Sequence, residues 1–376
     1  MASVGESIVR FLVDHGIQYV FGVPGGENVE FMEEARRQGL EDVLASRAGT
    51  AAYMADAYGQ LTGRPGVCLS TVAPGSTSIV NGVANALLDR SPMLAITAQQ
   101  PTRRAAYFTH ENVDQLRLFA PVTKWSVAIA PGAVHRTLAK AARIAVAPRP
   151  GPVHLDLPGD VVAMPAGDQP VPLEWRPAAR TAVGPLEKVA RLLQESRRPV
   201  VVAGLAAARA GAHEALTRFA ENWQVPVVVT GKAKGVIAET HPFFAGVLDM
   251  AAHQVVAGLL EQSDLLLAVG FDPVELIRDW RFKVPVVHID ELPNTDQVYV
   301  SVAEVTGDIA LALDQLASGA GPVSPRWEVR EVAAVRQALW RRLVEESTSR
   351  DLAPHQVVLE AQEAFGDEAL VTIDVG

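Results

Sequence analysis

The sequence predicts an α/β protein: two doubly wound parallel-sheet domains, followed by a stub of a third α/β domain. Three observations predict it. Short apolar runs such as Pro199–Ala203 and Leu265–Val269 alternate with longer amphipathic stretches, the pattern of parallel strands buried beneath crossover helices. Breaker-rich segments at Ala163–Pro185 and Gly319–Pro325 separate two such alternating blocks. Within the first block, strands run into helices through junctions rich in Gly, Pro and Thr.

Taken in order, Ser7 to His15 has helical spacing and Tyr19–Val23 reads as a buried strand. Pro24-Gly25-Gly26 breaks that strand, and helical spacing resumes from Asn28 to Gln38. Strands are expected at Gly66 to Thr71 and Met93 to Thr97, with a helix over Thr77 to Leu88 between them. Val153–Leu157 closes the unit as another strand before Pro158-Gly159. Prolines at 165, 170, 172, 177 and 185 remove donors and fix φ, so that stretch reads as a linker. The second unit has strands at Pro199–Ala203, Val225 to Thr230, Leu265–Val269 and Val286–Ile289, with helices at Ala212 to Trp223 and Ala252 to Glu261.

After the second linker, a charged helix is expected over Trp327 to Glu346 and another over Pro354 to Phe365. An apolar strand, Ala369–Ile373, then leads to Asp374-Val375-Gly376. A buried parallel strand needs neighbours on its edges, so this one reads as the opening of a third domain missing from the chain. The expected division is 1–165, a linker at 166–184, 185–318, a linker with the charged helix at 319–353, and 354–376 as the stub.

Composition narrows the function. With 49% hydrophobic and 20% charged residues, the chain is globular throughout. A net charge of −10 with scattered basic pairs excludes a nucleic-acid surface, which needs clustered Lys and Arg. The single cysteine, Cys68, lies in an apolar run and reads as a buried, inert thiol. No secretory signal and no membrane-length apolar window occurs, so a soluble, cytoplasmic protein is expected.

Several junctions suggest chemistry. Gly22-Val23-Pro24-Gly25-Gly26 ends a strand and opens a helix, and its glycines permit close backbone approach to a ligand; a plain turn is the alternative. It is neither the dinucleotide fingerprint nor a Walker A loop. Thr71-Val72-Ala73-Pro74-Gly75 is a similar junction, small enough to leave room for a planar ring, unless Ser76 or Thr77 is simply a helix N-cap. Asn81 and Asn85 follow along that helix. His110-Glu111 sets an imidazole beside a carboxylate, able to do acid–base work; the alternative is a polar helix start capped by Asn112 or Asp114. In the middle unit, Gly204-Leu205-Ala206-Ala207-Ala208 has one glycine against the three of the dinucleotide fingerprint, which argues against a nicotinamide or flavin enzyme.

In this order the segments resemble the thiamine-diphosphate enzymes that act on 2-oxo acids. Gly22–Gly26 is similar to the family's G-V-P-G-G loop, Ser46–Gly59 to its E-x-x-A-A-x-M-A-D-x-Y segment, and Thr71–Gly75 to its T-S-G-P-G loop. Pro121–Trp125 and Gly151–Pro158 are also similar to family segments, and in the second unit Gly270–Glu275 with His288–Asp290 resembles the acetolactate synthase branch, particularly its catabolic, flavin-independent members. The resemblance implies a pyrimidine-binding first domain and a Rossmann-like middle domain. Pro24, Gly25 and Gly26 would wall the cofactor, with Thr71, Val72, Ala73, Pro74 and Gly75 flanking its pyrimidine and Asn81 on the following helix. His110 and Glu111 would stand near the reacting carbonyl, with Gln99 in the same pocket. It further implies a carboligase or decarboxylase, working as a homodimer or homotetramer. Diphosphate and Mg²⁺ would be held by the missing domain or by a separate subunit carrying a G-D-G…N motif; this chain holds no metal ligand and FAD is not expected.

Two departures stand out. Ala48 occupies the place of the family glutamate whose carboxylate activates the cofactor's pyrimidine as a base, so a weakened or inactive enzyme is expected. An engineered change, a natural slow carboligase and a non-catalytic partner subunit all remain open. Glu111 stands where many synthases have glutamine, and its charge would repel a 2-oxo acid carboxylate unless protonated.

Overall fold

The structure, a computed structural model, describes residues 2–173, 175, 181–318, 326–346, 352–366 and 369–372. The chain forms two compact units, Met1–Ala178 and Ala179–Gly376. In the first, β1 (Tyr19–Gly22), β2 (Glu41–Leu44), β3 (Gly66–Ser70), β4 (Met93–Gln99), β5 (Trp125–Ala128) and β6 (Pro152–Pro158) form one parallel sheet. Their order is β2-β1-β3-β4-β6-β5. Every residue of β3, β4 and β6 is buried, which is why these strands read as continuous apolar runs.

The opening helix, Val4–Asp14, starts earlier than its spacing suggests because Ser3 caps it, its Oγ accepting from Glu6 N at 3.1 Å. The Ala-rich helix Ala48–Thr62 lies flush against Gly75–Leu88. A Cβ added at Gly82 would sit 2.6 Å from Ala52 Cβ, so the small residues of Ser46–Gly59 serve close packing.

The second unit contains β7 (Ala182–Val183), β8 (Pro199–Ala203), β9 (Val227–Val229), β10 (Phe244–Val247), β11 (Leu265–Val269), β12 (Val286–Asp290) and β13 (Ser301–Gly307). The order is β10-β9-β8-β11-β12-β13-β7, and β7 runs antiparallel to β13. This short edge strand emerges from the end of the proline-rich stretch, where proline is tolerated. Residues 326–346 join the same core: Trp327 and Val332 are buried, and Trp327 Nε1 donates to Pro199 O at 2.9 Å.

The expected strand at Ala369–Ile373 is corrected. Ala369–Thr372 hold no strand, and Leu370 is fully exposed, because among the described residues no strand pairs with them. Ile373–Gly376, Gly319–Pro325 and Pro177 lie outside the described residues.

Candidate functional site

In the first sheet β1 leads to β2 on one side, whereas β3 leads to β4 on the other, so the winding reverses between β1 and β3. In open α/β sheets, ligands bind outside the carboxyl ends of the strands at such a reversal. The segments that leave those ends are Val23–Asn28 and Thr71–Gly75.

Asn28, a residue the sequence reading passed over, braces the first of these loops. Its Oδ1 accepts from Gly25 N at 2.9 Å, and its Nδ2 donates to Val23 O at 3.1 Å. The two loops meet at Thr71. A Cβ added at Gly25 would lie 2.3 Å from Thr71 Cγ2, and one at Gly75 would lie 2.2 Å from Thr71 Oγ1. Both glycines are therefore required by close approach. At Gly26 the opposite holds: an added Cβ meets nothing within 4 Å. Pro24, Gly26 and Pro74 are exposed, Val72 and Ala73 are buried, and the Ala73–Pro74 peptide is cis.

The helix Gly75–Leu88 begins at Pro74 without a side-chain cap, so Ser76 and Thr77 are not its N-cap. Thr77 Oγ1 instead donates back to Pro74 O at 2.8 Å, and the buried Ser76 hydroxyl meets no partner among the described residues. Asn81 is exposed further along this helix, while Asn85 Nδ2 donates to Asp56 Oδ2 at 2.6 Å. Ala48, half-buried, opens the neighbouring helix and packs against the cluster of Ala52, Cys68 and Ile79. Burial pushes the Cys68 thiol up to about 12, so it stays protonated.

His110 and Glu111 lie on an exposed loop beyond β4, one strand over from the crevice, with His110 Nε2 3.8 Å from Glu111 Oε2. Glu111 adopts φ +54°, in the left-handed region. Asp114 caps the helix Gln115–Phe119, its carboxylate accepting from Arg117 N at 3.1 Å. Gln99 is buried and its amide is used inside the fold: Nε2 donates to Val113 O at 3.2 Å, and Oε1 accepts from Gln100 N at 2.8 Å. The structure therefore joins Gly25, Thr71 and Gly75 directly, and sets Gln99 beneath the loop that carries His110 and Glu111.

The second unit reverses its winding between β8 and β11. There a Cβ added at Gly204 would sit 2.5 Å from Gly270 O, and one at Gly270 would sit 2.1 Å from Ala207 N. Glu275 Oε2 accepts from Leu205 N at 2.9 Å, and Thr230 Oγ1 donates to Glu275 Oε1. Burial holds this carboxyl above its ordinary range, against the pull of those donors. Among the described residues, no group of three or more His, Cys, Asp or Glu side chains is placed to hold a metal ion.

Residues 2–118 match the N-terminal TPP binding domain of thiamine pyrophosphate enzymes, and residues 186–316 match their central domain. A "Probable acetolactate synthase large subunit" of Methanocaldococcus jannaschii is 35% identical over 299 residues, 76% of this chain and 50% of that protein. The acetolactate synthase of Bacillus subtilis is 29% identical over 385 residues, 99% of this chain and 67% of its own. An X-ray structure from Mycobacterium smegmatis, described as that of a thiamin diphosphate-dependent enzyme, aligns with a TM-score of 0.73 at 25% identity, over 87% of this chain and 64% of that one. The chain thus spans half to two thirds of the length of these two synthases. It belongs to the thiamine pyrophosphate enzyme family, in the acetolactate synthase-like branch, and its two parallel-sheet domains carry that family's fold.

Proposed function

We propose that this chain supplies the pyrimidine-binding half of the site in an acetolactate synthase-like carboligase or decarboxylase of 2-oxo acids. The observation that carries the reading is the crevice between β1 and β3, where Gly25 and Gly75 close on Thr71 and the turn beside Gly26 stays open. An open glycine turn such as that at Gly26 suits a flat heteroaromatic ring, because glycine lets the chain approach the ring face.

When bound, thiamine diphosphate supplies a carbon nucleophile and an electron sink for loss of the substrate carboxyl group. Pro24, Gly25 and Gly26 would wall the ring, with Thr71–Gly75 beside it. His110 and Glu111, 3.8 Å apart, are the pair assigned to hold or move a proton near the reacting carbonyl. Ala48 contributes a methyl group packed on an apolar cluster and accepts nothing. Diphosphate and Mg²⁺ are assigned to a separate domain or subunit, and FAD has no part. A homodimer or homotetramer is part of the proposal on the family likeness alone. Among the described residues no helix is long and apolar enough to cross a membrane, in keeping with the proposed cytoplasmic location.

The test joins this chain to the diphosphate-binding domain of a relative and measures cofactor affinity and 2-oxo acid decarboxylation. Ala48→Glu is expected to raise turnover by about 10²-fold or more, the usual worth of a positioned proton-transfer group. No affinity for thiamine diphosphate and Mg²⁺, even with glutamate at 48, would sink the proposal. Cofactor binding without turnover in either form favours the second reading that Ala48 supports, a non-catalytic partner subunit.

A further inference from the structure

The cofactor reading makes no use of a cavity of about 560 Å³ in the second unit, between the helix His253–Glu261 and the segment 276–282 that follows β11. A cavity of that size holds a small organic molecule. The helix turns Val256, Leu259 and Leu260 into the core. Gln254, Ala257, Gly258 and Glu261 recur three and four residues apart on another face, and that face lines the cavity. Leu248, Leu276, Trp280 and Phe282 supply an apolar lining. Trp280 is held in place by Tyr299 and Phe271, whose ring centroids lie 4.9 Å and 5.5 Å from its own.

Gly258 marks this face. Inside a helix glycine is a net cost in stability, and a close approach of another chain segment is its usual reason. Here there is none: a Cβ at Gly258 would meet nothing within 4 Å, whereas Gly204 and Gly270 of the same unit are closed on by backbone. The side chain that Gly258 lacks would project into the cavity.

The loop leading into the helix is strained. Asp249 has φ +60° and Ala252 φ +57°, and alanine has no polar side chain to favour the left-handed region. Asp249, only 6% exposed, holds this loop to the segment across the cavity. Its Oδ2 accepts from Ile277 N at 3.2 Å and Arg278 N at 3.1 Å, and its carbonyl accepts from Arg278 Nη1 at 2.7 Å. Its Oδ1 lies 3.1 Å from His253 Nδ1. The Asp249 charge is thereby spent inside the fold, and the Arg278 guanidinium is seated at the cavity.

Most of the polar groups that the lining still offers are donors: the further N–H groups of Arg278, the Arg281 guanidinium and the Gln254 amide. Trp280 Nε1, a donor only, is buried and meets no partner among the described residues. The acidic groups left are Asp279, exposed and 3.9 Å from Arg281, and Glu261, exposed at the last position of the helix. Donors around an apolar lining fit an anionic head on an apolar body. We propose that this cavity binds a small monocarboxylate, its head at Arg278 and its body over Gly258 among Leu276, Trp280 and Phe282. The site lies wholly within the second unit and stands whether or not the first unit binds a cofactor.

The probe is 3-phenylpropionate, which has a carboxylate and an apolar body but no 2-oxo group to react at a cofactor. Titrated into the full chain without cofactor, it should bind saturably at about millimolar concentration, the ordinary range for a ligand of its size. Binding should shift the indole ¹⁵N–H signal of Trp280, identified by its loss in Trp280→Phe. Acetate, a head without a body, and 3-phenylpropan-1-ol, a body without a charged head, should each bind about tenfold more weakly. No saturable binding of 3-phenylpropionate, or binding that leaves the Trp280 signal in place, overturns the site; equal binding of the alcohol overturns the anionic head. Gly258→Leu should weaken the probe about tenfold while the unfolding midpoint holds or rises, since leucine is the better helix former. Should Gly258→Leu fail to fold, Gly258→Ala makes the same intrusion on a smaller scale. Undiminished affinity in the folded variant overturns the placement of the body. Arg278→Met keeps the stem and should cost 3-phenylpropionate about tenfold and the alcohol nothing; no loss, or an equal loss of both, overturns Arg278 as the partner of the head.

Discussion

The two units reverse the winding of a parallel sheet in the same way and finish the reversal differently. Between β1 and β3 the strand ends close only at Thr71 and leave open space at Gly26. Between β8 and β11 the ends touch along the backbone, and Glu275 takes the Leu205 N–H and the Thr230 hydroxyl for itself. Topology offers a reversal of winding twice, and a few glycines and one glutamate finish the two differently.

Gly270→Ala tests the closed side most severely. The new methyl would lie 2.1 Å from Ala207 N at a residue with φ +57°. Overpacking and left-handed strain together should cost about 3 kcal/mol. Hydrogen exchange should quicken in β8 and β11 while β1 and β3 keep their protection. A silent Gly270→Ala would break the contrast between the units.

A second effect, of at most the same size and confined to the first unit, depends on pH. Burial raises the Asp156 pKa from an ordinary 3.8 to about 6 in the fold, so the folded state holds its proton more tightly than the unfolded chain. Its contribution to stability is therefore complete below a pH of about 4 and is lost as pH rises through about 6, by up to about 3 kcal/mol. Urea unfolding of the first unit should show that slope, and Asp156→Asn should flatten it.

What the sequence disclosed follows from burial. β3, β4, β6, β8, β11 and β12 are buried along their whole length and read directly as apolar runs. β2, which is Glu-Asp-Val-Leu, and β5 lie at sheet edges with mixed exposure and gave no such signal. Ala369–Thr372 shows the converse error, an apolar run without a sheet to join. The glycine loops of the crevice were visible as local breakers. Thr71 as the wedge between Gly25 and Gly75 was not, since that contact joins residues far apart in sequence. A hydrogen-bonded layer of Thr97, Ser126, His154 and Asp156 was hidden for the same reason: only strand register brings these side chains together.

On the open side, Gly75→Ala should cost about 2 kcal/mol because its methyl meets Thr71 Oγ1 at 2.2 Å. Thr71→Ala removes that atom, so the double variant should recover most of the loss, and a double-mutant cycle reads the coupling directly. Additive losses would mean that Thr71 is not the wedge.

Gly26→Ala should have the smallest effect on the fold and separates stability from binding most cleanly. A Cβ there meets nothing within 4 Å, so denaturant unfolding should shift by no more than about 0.5 kcal/mol. A ring held against that turn, however, would meet the added methyl at its face. The reassembled enzyme should then lose thiamine diphosphate affinity severalfold with its unfolding midpoint unchanged. Equal affinity in both forms would place the ring away from Gly26, and the open space beside β1 would have to be assigned to something other than the cofactor.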